Sequence, residues 1–483
     1  MRIEQKMRRV GLLLLLAWTL TLSVFGERHE VHILSVNDMH AKIEAFPKLA
    51  AIADSLRKLY PSLLVLSAGD NQTGNALSDM YRVPSYPMVA LMNQVGFHAT
   101  TLGNHEFDLK SLPRLMGVSH FSYICANIHP EPEAGIHIIP KQVFDVEGVK
   151  VGIIGVVQVN ENGRPTTHPD NVKHMTFSQP LSTVAQYESF SRECDVTVLL
   201  SHIGYNADIE MAHACPWLDL IIGGHTHTQL TADEPLHNGV LITQNRNRLP
   251  QVTHITVTVE DGRVVDKRAE YISVWAFTQK NSLVETMVSH FSENPYFKQI
   301  VGYAETPFRE RDQITFMMCD AFLSEIPADI SIVNNGGVRV DSLAAGNITL
   351  KDVFSIDPFG NEAVELKLTG KEVQLVLMKY SRGSLYHLPR VGGIVCEATV
   401  DKNDPNKNKL KSIKLKTLDG KKLDLRKTYT VVTNSYVSAI FKSYIKTNPH
   451  TLNIKTSKAL INYLEKQARV NYEHVDRLIV KEK

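Results

Sequence analysis

Residues 102–108 read LGNHEFD and put three chemically capable side chains behind an apolar segment and a glycine. Asn104 offers a carbonyl oxygen, His105 an imidazole, and Asp108 a carboxylate able to orient that imidazole. Polar residues of this kind recur wherever an apolar run of the first half ends. VHILSV delivers Asp38 and His40, LLVLSAG delivers Asp70, DVTVLLS delivers His202, and LDLIIGG delivers His225 and His227. Each alone has a bland reading: a turn at Asp38-x-His40, a helix cap at Asp70, a hydrogen-bonded core histidine at His202, a surface HxH pair at 225–227. Five run ends carrying only oxygen and imidazole donors have no common structural cause, and together they indicate a metal centre.

Asp38, His40, Asp70, Asn104, His202, His225 and His227 are too many donors for one ion and suit two ions sharing a carboxylate. Mixed imidazole and oxygen donors favour Zn, Mn, Fe or Co over Ca or Mg. Two divalent cations and two aspartates leave positive charge that attracts an anion. A two-metal centre also acidifies bound water and clamps the oxygens of an in-line displacement, so phosphate ester hydrolysis is the expected reaction, with a metal-bridging hydroxide as nucleophile. His105 follows a ligand directly. With Asp108 on its far nitrogen it can steady phosphoryl oxygens or protonate the leaving alcohol; the alternative is that His105 is itself a ligand.

These residues need a sheet whose strand ends converge. Apolar runs at 31–36, 63–68, 149–157, 195–200 and 218–222 alternate with helical patterns at 46–60, 86–97 and around 180–192. That alternation predicts βαβ units whose polar strand ends collect at one edge of a parallel sheet. GVLITQN and QVTHITVTVEDGRVV extend the pattern as edge or antiparallel strands. SLVETMVSHFSENPYFKQI reads as a helix and connector. Beyond it a second unit begins, with a strand at ISIVNNGG, a turn at DPFGNE, a helix at GKEVQLVLMKYS and a lysine-rich hairpin tipped by Asp419-Gly420. Those lysines read as a solvated face guarding a strand edge.

A chain of 483 residues exceeds one typical core, so two domains are expected. Lys+Arg 52 against Asp+Glu 51 gives no argument for a nucleic-acid partner. The basic MRIEQKMRRV followed by GLLLLLAWTLTLSVFG reads as a secretory signal peptide cut near Gly26; removing its net +3 from the chain's +1 leaves about −2. No later run is long enough to span a bilayer. The five cysteines form no CxxC pair, which disfavours a thiolate zinc site, and most of them read as buried thiols. No GxSxG, P-loop or GxGxxG stands where serine hydrolysis, NTP binding or dinucleotide binding would need one.

On NDMH (37–40), GDNQTG (69–74), LGNHEFD (102–108), SHIG (201–204) and GGHTHT (223–228), the sequence resembles the calcineurin-like metallophosphoesterases, and within them the 5′-nucleotidase family with its UDP-sugar hydrolase members. VNNGGVR (333–339), GNITLKDVF (346–354) and DPFGNE (357–362) are similar to that family's C-terminal substrate domain. The resemblance implies an α/β (α+β) fold: a β-sandwich flanked by helices at 27–275, a connector at 276–300 serving as the hinge for domain rotation, and a smaller α/β domain at 301–483. It implies Asp38, His40, Asp70 and His227 on one metal, Asp70, Asn104, His202 and His225 on the other, and His105 with Asp108 as the catalytic dyad. Asn334, Gly336 and Arg339 match positions that contact the nucleotide, and Phe359 matches one of two rings that sandwich the base.

The family's glycine-rich loop after Thr433-Asn434 is missing here, which leaves Tyr436, Phe441 and Tyr444 as candidates for the second ring. The family's GN pair ahead of the Asp-Ala helix is missing too, with TFMMCDAF in its place. The expected activity is that of a secreted or periplasmic two-metal phosphohydrolase on nucleoside 5′-monophosphates or related nucleotides. The alternatives are a cyclic-nucleotide phosphodiesterase, UDP-sugar hydrolase or sugar phosphatase on the same site, or a non-enzymatic surface binding protein that retains the fold.

Overall fold

In the computed structural model, residues 27–442 and 444–483 are described; the expected signal peptide at 1–26 lies outside them. Two sheets face each other in the first part of the chain. Strand β1 (Arg28–Val36) runs parallel to β2 (Leu64–Ser67), β2 to β3 (Ala99–Thr100), and β3 to β4 (Ser122–Tyr123). On its other side β1 pairs antiparallel with β10 (Gln251–Glu260), which pairs with the edge strand β11 (Arg263–Ser273). The second sheet orders β9 (Leu241–Thr243), β8 (Leu220–Ile222), β7 (Val196–His202), β6 (Val149–Val157) and β5 (Lys141–Val146), parallel except at the β5–β6 edge.

Side-chain alternation along β1 explains the layering. Val31 and Ile33 point between the sheets, where they meet Leu64, Leu66, Ile153, Val198 and Leu220. Leu34 and Val36 point outward onto helix α1 (Phe46–Leu59) and helix α2 (Tyr86–Val95). The second sheet covers its outer face with α3 (Tyr205–Ala214). The sandwich agrees with the family resemblance and corrects the expectation from the βαβ pattern alone: the strand ends gather at an edge shared by two sheets, β1 to β3 on one side and β7 and β8 on the other, rather than at the edge of a single sheet.

Helix α4 (Ser282–Ser292), expected as part of a connector, packs on α1 and α2. Asn281 caps it, its side chain accepting from the Val284 amide at 3.0 Å and donating to Asp54 at 2.7 Å. Beyond 300 the remaining strands form a five-stranded mixed sheet and two three-stranded ones. The central sheet holds Ile330–Val333 beside Thr428–Asn434, and Asn434 caps helix α5 (Ser435–Phe441) through the Val437 amide at 2.8 Å. The lysine-rich hairpin turns at Gly420 (φ 84°), but its return arm holds a single bridge, Lys416 to Lys422, rather than a full strand. Lys407, Lys409, Lys411, Lys416 and Lys421 pair with nearby acids, as a solvated face does. Among the described residues no helix is long and apolar enough to cross a membrane, and all five cysteines are unpaired.

Candidate metal centre and substrate cavity

At the shared edge most of the strands give way to a turn through left-handed residues. Asp38 (φ 48°), His40 (φ 45°), Asp70 (φ 51°), His225 (φ 77°) and His227 (φ 56°) all adopt the conformation that non-glycine residues avoid. Five of the seven expected ligands share this strain, which marks a site whose surroundings over-determine the backbone. Glycines let the loops close on one another. A Cβ on Gly103 would lie 2.1 Å from Asp70 Oδ1, and one on Gly224 2.8 Å from His202 Nδ1.

The donor atoms converge. His227 Nε2 lies 3.2 Å from Asp38 Oδ1 and 3.2 Å from His40 Nε2. His202 Nε2 lies 3.2 Å from Asp70 Oδ2 and 3.9 Å from Asp38 Oδ1. His225 Nδ1 meets Asn104 Oδ1 at 3.0 Å. The surroundings aim them. His202 Nδ1 bonds the Ala68 carbonyl at 2.7 Å, so Nε2 faces the site, buried and without a hydrogen-bond partner. Asp38 accepts from the Asn37 amide at 2.8 Å and from the His225 backbone at 3.0 Å. An orphaned buried imidazole nitrogen beside two carboxylates is what a cation-binding set presents before the cation arrives, and the residues fit a metal.

Electrostatics agree. Burial opposes ionising Asp38 and Asp70, yet the facing His202, helped by His227 and His105, holds both carboxyls below their ordinary range. Burial would lower His202 too, but Asp70 and Asp38 raise it to about 10. Burial and then Arg339 push His40 well below its ordinary value; burial and then His202 push His225 down to about 4. Ionised aspartates and neutral imidazoles are the donor forms a cation requires, and the His202 proton is the one it would displace.

His105 Nδ1 meets Asp108 Oδ2 at 2.6 Å, and the other Asp108 oxygen accepts from Thr167 at 2.8 Å. Burial lowers the His105 pKa, but Asp70 and Asp108 outweigh it and the net shift is upward. His105 Nε2 lies 4.0 Å from Asp70 Oδ2, inside the same constellation, so proximity alone does not separate it from the ligands.

Glu106 is the functional neighbour that sequence reasoning passed over. Wholly buried, it accepts from the amides of Gly103 (2.6 Å), Asp70 (2.9 Å) and Asn71 (2.7 Å), and so binds two ligand loops together. Its signal was an acid inside LGNHEFD itself, indistinguishable from a solvated loop residue until the fold brings three N–H groups to it.

A cavity of about 270 Å³ opens over the expected metal ligands. Asp70, Asn104, His105, Asp108, His225 and His227 form one wall; Asn334, Gly336, Arg339 and Phe359, from the second half of the chain, form the other. Arg339 reaches the His40 ring at 3.0 Å. Phe359 stacks near His105 with ring centres 5.9 Å apart. Of the three aromatic candidates for a second ring, Tyr436 lines this cavity, Tyr444 lines a smaller neighbouring one, and Phe441 is buried in the core against Tyr380. Tyr380 and His387 also line the main cavity and were not foreseen.

Comparison with known proteins places this geometry. The calcineurin-like phosphoesterase model matches residues 31–229, and the 5′-nucleotidase C-terminal domain model matches residues 296–444. A trifunctional nucleotide phosphoesterase of Bacillus subtilis is 26% identical over 85% of this chain, and the chain spans 32% of that protein's length. Protein UshA of Yersinia enterocolitica is 25% identical over 91% of this chain and 92% of its own. Among solved structures, a 5′-nucleotidase precursor from Thermus thermophilus shares the fold with a TM-score of 0.81 at 22% identity, covering 94% of this chain and 99% of that one. The two models take the two halves of the molecule in order, and the chain belongs to the 5′-nucleotidase family of calcineurin-like phosphoesterases, metal-dependent hydrolases of phosphate esters.

Proposed function

We propose that the protein removes phosphate from nucleoside 5′-monophosphates or related nucleotides at a centre of two divalent cations, Zn, Mn or similar. The observation that carries this reading is the single cavity shared by the aspartate–histidine cluster and by Asn334, Arg339, Phe359 and Tyr436. Residues 27–275 are the catalytic unit and 301–483 the substrate unit, joined through 276–300. Asp38, His40, Asp70 and His227 would hold one cation, and Asp70, Asn104, His202 and His225 the other. When bound, such ions supply Lewis-acid polarisation of the ester and a water acidified toward neutrality.

The remaining chemistry belongs to side chains. Arg339 offers a fixed charge to the phosphoryl oxygens, and Phe359 and Tyr436 offer aromatic faces to the base. His105, held by Asp108, donates a proton or hydrogen bond through Nε2 as the leaving alcohol departs. A signal peptide at 1–26 would carry the enzyme to the periplasm or outside the cell.

The second reading keeps the metals and changes the ester, to a UDP-sugar, a cyclic nucleotide or a sugar phosphate. It is favoured by helix α5 standing where the family's glycine-rich loop is expected. Phosphate release from AMP, UMP, UDP-glucose, cyclic AMP and p-nitrophenyl phosphate, with Mn, Zn or chelator, separates the two. Chelator-sensitive release from AMP and UMP is expected; activity on p-nitrophenyl phosphate alone would overturn the nucleotide reading.

A further inference from the structure

Arg248 lies in NRNRLP, between β9 and β10, outside both the clustered metal donors and the cavity lining. Its backbone is left-handed (φ 66°), as is that of Leu249 (φ 55°), a conformation that costs free energy unless contacts repay it. Three contacts do. Its amide donates to the Asp38 carbonyl at 2.8 Å. One guanidinium nitrogen donates to the Gly74 carbonyl at 2.9 Å, and the other to the Arg339 carbonyl at 2.7 Å. One residue thus ties together the loop of Asp38 and His40, the loop that follows Asp70, and the backbone of the arginine whose own side chain faces His40.

The guanidinium is suited to this by shape. Its planar fork directs two N–H groups at two carbonyls at once, which a lysine ammonium on a flexible stem does not reproduce. Burial lowers its pKa, and the acids Glu44, Asp341 and Asp79 around it keep it charged. Besides the Arg339–His40 contact, the ion pairs between the halves are weaker: Lys351–Glu44 at 3.3 Å and Arg382–Glu161 at 3.9 Å involve partly or largely exposed side chains, where ion pairs contribute little.

We propose that Arg248 is a positioning residue that seats Arg339 and the substrate half of the cavity against the metal ligands when the two halves stand as they do here. A ligand long enough to reach from the metal donors to Phe359 depends on that spacing. A small phosphate ester held at the metal donors alone depends on it far less. The substrate side of this inference rests on the nucleotide reading; the clasp between the two halves does not.

The test uses the full chain loaded with metal, comparing wild type with Arg248→Ala and Arg248→Lys. Three quantities are read: kcat/KM for AMP relative to p-nitrophenyl phosphate, bound metal per chain, and amide hydrogen exchange at 72–75 and 335–341 without substrate. Arg248→Ala is expected to lower the AMP-to-ester ratio at least tenfold, through KM, with metal content retained and exchange faster on both segments. Arg248→Lys is expected to fall between, and added ethylguanidinium to recover part of the lost KM in Arg248→Ala. Equal losses on both esters with metal lost would show a scaffold for the metal loop and overturn the proposal. An unchanged ratio with unchanged exchange in either variant would overturn it too. Wild type inert toward AMP, with exchange still altered in the variants, would sink the nucleotide reading and leave the clasp standing.

Discussion

The two walls of the cavity are built by opposite means. The expected metal wall is made of strand ends: its donors stand at or just past the ends of β1, β2, β3, β7 and β8, and five of the seven sit in left-handed turns. The substrate wall is made of loops and helix starts: Asn334 and Arg339 follow a strand end, Phe359 sits in a turn, and Tyr436 stands in the first turn of α5. Rigid sheet edges fix a constellation in which small displacements abolish chemistry. Loops and helix ends permit one scaffold to hold different substrates over the same reaction.

That contrast can be broken experimentally. Asp70→Asn should cause the largest loss, at least about a thousandfold in kcat with metal lost as well, because one carboxylate lies within reach of both donor groups; metal analysis alongside turnover checks it, and full metal content would deny the shared ligand. His105→Asn should reduce kcat by about 10²–10⁴-fold while most metal stays bound, the size of a lost general acid. Metal loss in that variant would move His105 into the ligand set.

Behind the substrate wall, two residues before Phe359, burial pushes Asp357 up to about 6, against the Thr456 hydroxyl, which lowers it. A carboxyl raised in the folded state contributes stability that is complete below its unfolded pKa and fades as pH rises through the folded one. Between pH 4 and 7 the wild type should therefore lose about 2 kcal/mol relative to Asp357→Asn, which cannot ionise. Urea unfolding of both proteins across that range measures the difference, and parallel pH curves would contradict it. The smallest effect belongs to the clamp itself. Tyr436→Ala should raise the KM for AMP about tenfold, near 1.4 kcal/mol, with little change toward p-nitrophenyl phosphate. Tyr444→Ala serves as the comparison, and an equal KM rise there would return the second ring to open choice.

The metal wall was legible in the sequence because its ligands come directly after apolar runs, and the alternation of run and helix placed those ends together. All seven expected donors, with His105 and Asp108, stand at one edge. The alternation alone did not reveal that two sheets share that edge, since parallel strands read alike whichever sheet they join; the sandwich was legible only through the family motifs. The substrate wall was legible only where short motifs marked it. Tyr436 could have been preferred over Phe441 by helix geometry: five residues turn the chain by roughly 140°, so with one ring on the cavity the other faces away. That argument needs the helix to begin at Ser435, and the signal for it was the cap residue Asn434, which a strand end followed by a loop would show as well.

Glu106 bears on anyone who would move this centre to another scaffold. Copying the seven donors alone would leave the amides of Asp70, Asn71 and Gly103 without an acceptor in a dry interior, each at a cost of about 1–3 kcal/mol. The two loops would then drift to satisfy them, and the donors with them. A portable version of the donor set therefore needs Glu106 beside the seven expected donors, although Glu106 is not one of them.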